Sequence, residues 1–527
     1  MRIAVTGLTG VAPRRKDQTS ADLMNMEDMR MAKRVIVVGA GNAALVAALA
    51  ASDAGAEVTV LEKAPRDQRG GNTRYTAGLV RFAFDELSVV DDLLGNSAAT
   101  SGLATVEPYT AETFTNAIMH TSRGEADPDL TDWLVSESQD VLRWMKHHGI
   151  DFEFAQYLTT AEGGKAVYRN GLVLQSAGGG EGLTAMEFAA VERAGCEIRY
   201  GTAAIDLIKD DIGGVVGVRV RNDSGNTEDL YGEVILGCGG FEANPEMRTR
   251  YLGPEWNLVK VRGVPYNTGE LLDAALRAGA ATYGHWADCH AAPIDSNSPK
   301  QGTLDTGERT NRTSFLFGIA VNERCERFID EGRDWAPQNY VAVGKTVLKQ
   351  PNGIGYQLFD QKVAELLDPR YDDATVYQAD TLDRLAEKAG LDPQKFLRTV
   401  TAYNSAVDDA TIFDSTIKDG KTTQGLEPPK SNWAQRIDTP PFRLYPFTGG
   451  ITFTFGGLKI DRNARVLDAG TGTPIPGLYA IGEMTGGFFY HSYPAGSGLV
   501  CGSITGRAAG AAAAVAARRE ATAVAAG

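Results

Sequence analysis

Arg34–Val38 is a short β-branched run that enters a glycine turn and then an alanine-rich stretch, Ala43 to Ala54. The first predicts a strand and the second a helix, and Ala56–Leu61 predicts a second strand. Helical spacing recurs over Asp129–His147 and Glu181–Ala194, and Val215–Val220 and Tyr231–Leu236 read as strands around turn residues at Asn222–Asn226. From about His285 to Pro440 the texture changes to loops, aromatics and short helices such as Gln361–Leu367 and Thr381–Ala389. The remainder returns to strands and glycine turns, with Gly457–Ile460, Leu478–Ile481 and a last helix from about Gly498.

The strand–turn–helix–strand order is that of a dinucleotide-binding βαβ unit. Its turn reads Gly39-Ala40-Gly41-Asn42-Ala43-Ala44, a G-x-G-x-x-A pattern. Gly39 permits the tight turn, Gly41 lets backbone approach a pyrophosphate, and Ala44 lets the helix pack close on the strand. The helix N-terminus offers free N–H groups to the phosphates. Glu62, 23 residues beyond Gly39 and next to Lys63, can accept ribose hydroxyls and disfavours a 2′-phosphate. Gly70-Gly71-Asn72-Thr73-Arg74-Tyr75-Thr76-Ala77-Gly78 is dense in small and hydroxyl residues, which suits backbone lying against a flat isoalloxazine and favours FAD over NAD. Near the C-terminus a strand ends at Gly482-Glu483, where Glu483 can bind ribityl hydroxyls. Gly496-Ser497-Gly498-Leu499 opens the last helix, whose N-terminus would stabilise the charge of a reduced flavin. The expected class is therefore α/β: a Rossmann-like FAD-binding domain in two parts, residues 33–284 and 441–527, interrupted by an inserted α+β cap, residues 285–440. Residues 1–32 read as a disordered N-terminal extension.

The chain has 527 residues and a formal net charge of −15, a balance that repels a phosphate backbone and argues against nucleic acid as a partner. Its five cysteines, Cys196, Cys238, Cys289, Cys325 and Cys501, form no C-x-x-C pair. That pattern predicts reduced thiols in a cytoplasmic protein and no metal or iron–sulfur centre. The longest bland stretch, Ala508 to Ala517, is about half the ~20 residues of a membrane span, so no span is expected.

Taken together, the glycine turn, G-G-N-T at Gly70–Thr73, T-G-E at Thr268–Glu270, V-N-x-x-x-x-R-F at Val321–Phe328, G-G-L-K-I-D at Gly456–Asp461 and P-G-L-Y-A-I-G-E at Pro476–Glu483 resemble the fumarate reductase and succinate dehydrogenase flavoprotein superfamily. Gly284–Pro293, Arg327–Gly332, Gly450–Leu458 and His491–Leu499 look most like the tricarballylate dehydrogenase branch, and Tyr493-Pro494-Ala495-Gly496 resembles a segment of 3-ketosteroid dehydrogenases. The resemblance implies an FAD domain with a mobile cap, and Ala203, Gly239, Thr268 and Glu270 complete the expected cofactor contacts. Two departures stand out. Asn72 stands where succinate dehydrogenases carry the histidine that attaches FAD, so non-covalent FAD is expected. Phe453 and Tyr493 stand where fumarate reductases clamp a dicarboxylate with His and Arg, and an aromatic pair cannot neutralise a carboxylate.

Dehydrogenating a C–C bond needs loss of a proton beside a carbonyl and transfer of a hydride to flavin N5. The expected catalytic candidates are Tyr493, as a donor to the substrate carbonyl, with His491, His290 and Arg333. Arg333 follows Glu331-Gly332 in loose correspondence to the family's proton-donating arginine. His290, Arg312, Phe453 and Tyr493 are expected to line the substrate. The expected function is oxidation or reduction of a C–C bond next to a carbonyl or carboxylate of a small organic acid. The alternatives are a ketosteroid dehydrogenase-like enzyme on an apolar ketone and a flavin-binding electron-transfer or assembly subunit. With no second dinucleotide turn, the electron partner is expected to be a quinone, a redox protein or oxygen.

Overall fold

The computed structural model describes residues 34–155, 160–162, 165–304 and 306–525. The expected extension 1–32 lies outside them.

A six-stranded sheet runs in the order Arg465–Leu467, Pro474–Ala480, Glu233–Leu236, Arg34–Val38, Glu57–Leu61, Glu197–Arg199. Its strands pair in parallel except Arg465–Leu467, which is antiparallel. Val35, Ile36 and Val37 are wholly buried, as a strand covered on both faces requires. Chain order reverses at Arg34–Val38, which has Glu57–Leu61 on one side and Glu233–Leu236 on the other. Such a switch point opens a crevice beyond the strand ends, where ligands bind in open α/β sheets.

Helix Asn42–Asp53 leaves the first strand and packs on the C-terminal helix Ser497–Ala525. The two approach at backbone distance. A Cβ on Gly506 would overlap the Ala43 carbonyl, and one on Gly510 the Ala47 carbonyl. The last helix starts at Ser497, as expected within one residue, and its apolar run extends well beyond the alanine tract, which corrects the expectation of no segment of spanning length. Residues Ser497–Arg518 are long and apolar enough to cross a membrane by length and composition, but 61% of that stretch is buried inside the protein.

A second sheet is organised on one 17-residue strand, Phe442–Leu458. Gly355–Phe359 and Tyr377–Ala379 pair with its beginning, and Thr282–Asp295 runs antiparallel along most of it. Bulges interrupt that ladder, so Trp286–Asp288 stand between His285, opposite Phe455, and Cys289, opposite Thr454. Bulges re-aim side chains and are frequent beside active sites. Here His290 comes opposite Phe453. Helix Ala336–Val347 lies across Thr282–Asp295, and Gly344 makes this possible, because a Cβ there would overlap the Ala291 carbonyl.

Candidate active site

The crevice at the switch point continues as one cavity of about 340 Å³ that reaches the second sheet. It begins at the glycine turn. Gly39 has φ +103°, and a Cβ on it would overlap the Gly237 carbonyl, so only glycine fits. Gly41 has ordinary backbone, and a Cβ there would come no nearer than 3.4 Å to Thr73 Oγ1. Its missing side chain keeps open the approach to the helix N-terminus. Ala44 is wholly buried against Gly237 and serves packing rather than the cavity.

Asn42 joins the three expected cofactor segments. Its backbone N–H donates to Thr73 Oγ1 at 3.0 Å, and its side-chain amide donates to the Leu499 carbonyl at 2.9 Å. The glycine turn, the 70–78 segment and the start of the last helix therefore meet in space.

Glu62 lies at the end of the second strand, 6% exposed, and accepts the Ala64 N–H at 2.7 Å. Burial pushes its carboxyl up to about 7. Lys63 binds Glu270 at 2.8 Å and Thr268 at 2.7 Å. Of the expected cofactor residues, Gly39, Gly41, Asn42, Ala43, Glu62, Lys63, Gly71, Asn72, Thr73, Ala77, Gly239, Glu270, Gly482, Glu483, Gly496, Gly498 and Leu499 line the cavity. Gly70, Gly78, Ala203, Thr268 and Ser497 stand just behind that lining. Gly78 has φ +70° and packs against Ser176 and Gly179, while Ser497 Oγ is buried without a partner. A glycine-walled crevice between two helix N-termini, with the buried carboxyl of Glu62 in its lining, fits FAD.

Two details differ from expectation. Glu483 is not free for a ribityl chain alone, since its Oε1 accepts the Thr454 N–H at 2.8 Å and its carboxyl is hydrogen-bonded to that of Glu242. Burial and this like-charge neighbour hold Glu242 well above the usual carboxylate range, so the pair shares a proton. Asn72 donates to Glu242 at 2.7 Å and to the Thr452 carbonyl at 2.8 Å, and accepts the Val264 N–H at 2.8 Å. It is a hub of the site's frame and has no imidazole.

The inner end of the cavity is aromatic. His290 is 3% exposed and stacks on Phe453 at 5.1 Å and 11°. Tyr493 meets both edge-on at 5.2 and 5.1 Å and meets Phe489 at 5.4 Å. Tyr340, which the sequence did not single out, joins them: its hydroxyl donates to Tyr493 Oη at 3.1 Å and lies 2.7 Å from His290 Nε2. With the Tyr340 proton on Tyr493, the Nε2–H tautomer of His290 completes the line. Burial and the nearby cations Arg262 and Lys345 depress the His290 pKa well below its ordinary value, so the ring is neutral. Its Nδ1 is buried with no partner. The line therefore polarises and does not conduct protons onward. It leaves one hydrogen, that of Tyr493, free for a group in the cavity.

The remaining candidates fall elsewhere. His491 is adjacent to the site but outside the cavity lining, with Nδ1 3.5 Å from Asp288. Arg333, which the loose spacing after Glu331 suggested, is exposed and is not among the residues lining the cavity. Arg312 is buried but is no carboxylate fork for a ligand. Asp295 holds its Nη2 at 2.8 Å, and its Nη1 donates to the backbone carbonyls of Asn311 and Arg370. The arginines that do line the cavity are Arg262 and Arg370, joined through Glu308. Burial lowers the Arg262 pKa to about 10. Arg262 and Tyr340 carry no motif, and only the tertiary fold brings them in.

His285, Asp288 and His491 approach within 4.8 Å of one another, but the Lys345 ammonium occupies both Asp288 oxygens, at 2.8 and 2.9 Å.

A family model described as FAD binding domain matches residues 34–500. NADH:acrylate oxidoreductase of Vibrio harveyi is 29% identical over 534 residues, covering 90% of this chain and 50% of that protein. A fumarate reductase (cytochrome) of Shewanella frigidimarina is 29% identical over 463 residues, covering 86% of this chain and 72% of that protein. The chain thus spans about half the length of the first relative and about seven-tenths of the second. In fold it is similar to the open conformation of a flavocytochrome c3 fumarate reductase, with a TM-score of 0.68, 23% identity and coverage of 96% and 83% of the two chains. It is equally similar in fold to a 3-ketosteroid delta1-dehydrogenase from Sterolibacterium denitrificans, with a TM-score of 0.68, 20% identity and coverage of 91% and 99%. With its glycine turn and continuous crevice inside the matched region, this chain belongs to the FAD binding domain family and has a fumarate reductase-like fold.

Proposed function

We propose that this protein is an FAD-dependent oxidoreductase that adds or removes hydrogen across a C–C bond next to a carbonyl or carboxylate of a small organic acid. The observation that carries the reading is the Tyr493–Tyr340–His290 line at the inner end of the cavity. FAD, held non-covalently along the crevice from Gly39 to Leu499, would supply hydride exchange at N5. Tyr493 donates its free hydrogen to the substrate carbonyl, and Tyr340, fixed by neutral His290, keeps that donor aimed. Such a donor favours the charge that develops on oxygen when the neighbouring carbon loses or gains a proton. Phe453 and Phe489 pack the substrate and exclude water. Arg262, in place of Arg333, is the cavity's cationic group for an acid function.

A ketosteroid dehydrogenase-like activity on an apolar ketone is a second reading, and the aromatic wall around Tyr493 favours it. The five unpaired cysteines support a cytoplasmic location. Electrons would pass to or from a quinone, a redox protein or oxygen. The test is anaerobic photoreduction followed by mixing with polycarboxylates, enoic acids and cyclic enones. A substrate reoxidises the flavin within the mixing experiment. If every member of both classes leaves the reduced spectrum unchanged, and none reduces the oxidised enzyme, the reading fails and a carrier role without turnover takes its place.

A further inference from the structure

The three members of the hydroxyl line come from three separate segments. His290 lies on strand Thr282–Asp295, Tyr340 on helix Ala336–Val347, and Tyr493 between the last strand and the last helix. One side chain touches all three. Lys345 Nζ donates to Asp288 Oδ1 at 2.8 Å, to Asp288 Oδ2 at 2.9 Å and to the His491 carbonyl at 2.6 Å. Asp288 and His491 each stand two residues before a member of the line, and Lys345 five residues after the third.

An ammonium has three donors, and here all three are used. The acceptors are strained or irregular positions that need a hold. Asp288 sits in the bulge that re-aims His290, and its carboxylate also accepts the Cys289 N–H at 2.8 Å. His491 has φ +59°, a left-handed conformation that is strained for a non-glycine residue and persists where the surroundings enforce it. Its carbonyl is the one Lys345 holds. Lys345 and Asp288 are 19% and 14% exposed, so the pair is shielded from the screening that weakens surface ion pairs.

We propose that Lys345 is the positioning residue that assembles the Tyr493–Tyr340–His290 line, by clamping the cap helix, the bulged strand and the loop before the last helix to one another. It touches no reacting atom. Its effect on catalysis passes through Tyr340, whose hydroxyl orients that of Tyr493, and in that respect the proposal rests on the functional reading above.

Two measurements on the full-length, FAD-loaded protein test it. The first is hydrogen–deuterium exchange in wild type and Lys345→Met, followed in peptides covering 284–292, 336–348 and 486–496. The clamp requires exchange in 284–292 and 486–496 to rise together by ~10-fold or more, with the dinucleotide-binding sheet unchanged. Unchanged exchange in 486–496, or a uniform rise over the whole chain, overturns it. If Lys345→Met does not fold, Lys345→Arg serves in its place, since it keeps the charge but replaces three radiating donors by a planar fork. The second is a cycle of Lys345→Met and Tyr340→Phe, read as reoxidation of photoreduced flavin by acrylate and by cyclohex-2-enone. Acting through Tyr340, the lysine change should slow wild type ~10-fold but the Tyr340→Phe background less than about twofold. Equal losses in both backgrounds contradict a positioning role. Should wild type reduce neither probe, the functional reading fails for those compounds, while the exchange experiment still decides the clamp.

Discussion

Replacing Tyr493 by Phe isolates the hydroxyl on which the proposed chemistry turns. The ring keeps its edge contacts with His290, Phe453 and Phe489, all between 5.1 and 5.4 Å. Packing is therefore retained. Two things change: the cavity loses its donor, and the Tyr340 hydroxyl loses its acceptor at 3.1 Å. Tyr340 is only partly shielded, so the second loss should cost about 1 kcal/mol of stability. Removing one preorganised donor to a developing oxyanion costs about 3–4 kcal/mol in the barrier, or roughly 10²–10³ in rate. The assay is stopped-flow reoxidation of the photoreduced flavin by a substrate found in the anaerobic screen, with a thermal melt alongside. A rate loss of a hundredfold or more with a small change in melting temperature is expected. Less than about a fivefold loss would mean that Tyr493 is only a packing aromatic, and the reasoning from the hydroxyl line would fall.

Four further outcomes follow. Arg333→Ala should leave turnover within about twofold of wild type, since exposed surface changes away from a site are usually small, and a large loss would restore the arginine that sequence spacing suggested. Arg312→Met should instead destabilise the fold by about 3–5 kcal/mol in urea unfolding, because it leaves Asp295 buried without its partner. Gly344→Ala should cost about 1–3 kcal/mol and also lower turnover, because the helix bearing Tyr340 must move off the Ala291 carbonyl. For Glu62, burial raises the folded pKa to about 7 from its ordinary 4.5, so between those values the folded state holds a proton that the unfolded state has released. Its contribution is present below about pH 4.5 and is lost as pH rises through about 7, up to about 3 kcal/mol in all. The flavin-free wild type should therefore lose melting temperature over that interval relative to Glu62→Gln, and parallel pH profiles for the two proteins would refute it.

The sequence was most informative where the chemistry is local. Gly39, Gly41, Ala44 and Glu62 lie within one strand–turn–helix–strand unit, and their spacing is enough to place a dinucleotide at the switch point. Tyr493 and His290 were legible because short segments around them resemble known ones. Tyr340 and Arg262 were not, because neither carries a motif. Helix packing at Gly344 and the pairing of Lys260–Val261 with the long strand bring them to the cavity. Arg312 and Arg333 show the converse limit. A charge reads alike in sequence whether it faces a ligand, solvent or a buried aspartate, and the difference lies in Asp295, 17 residues from Arg312. The last helix was placed from about Gly498, close to its observed start at Ser497, but its apolar length was judged on the alanine tract alone.

Acid precipitation of the purified protein, with flavin counted in the supernatant, bears most directly on the crevice between the glycine turn and the last helix. About one FAD per chain, released without proteolysis, is the expected result. Colourless protein that takes up no added FAD, or flavin that stays with the precipitate, would contradict it.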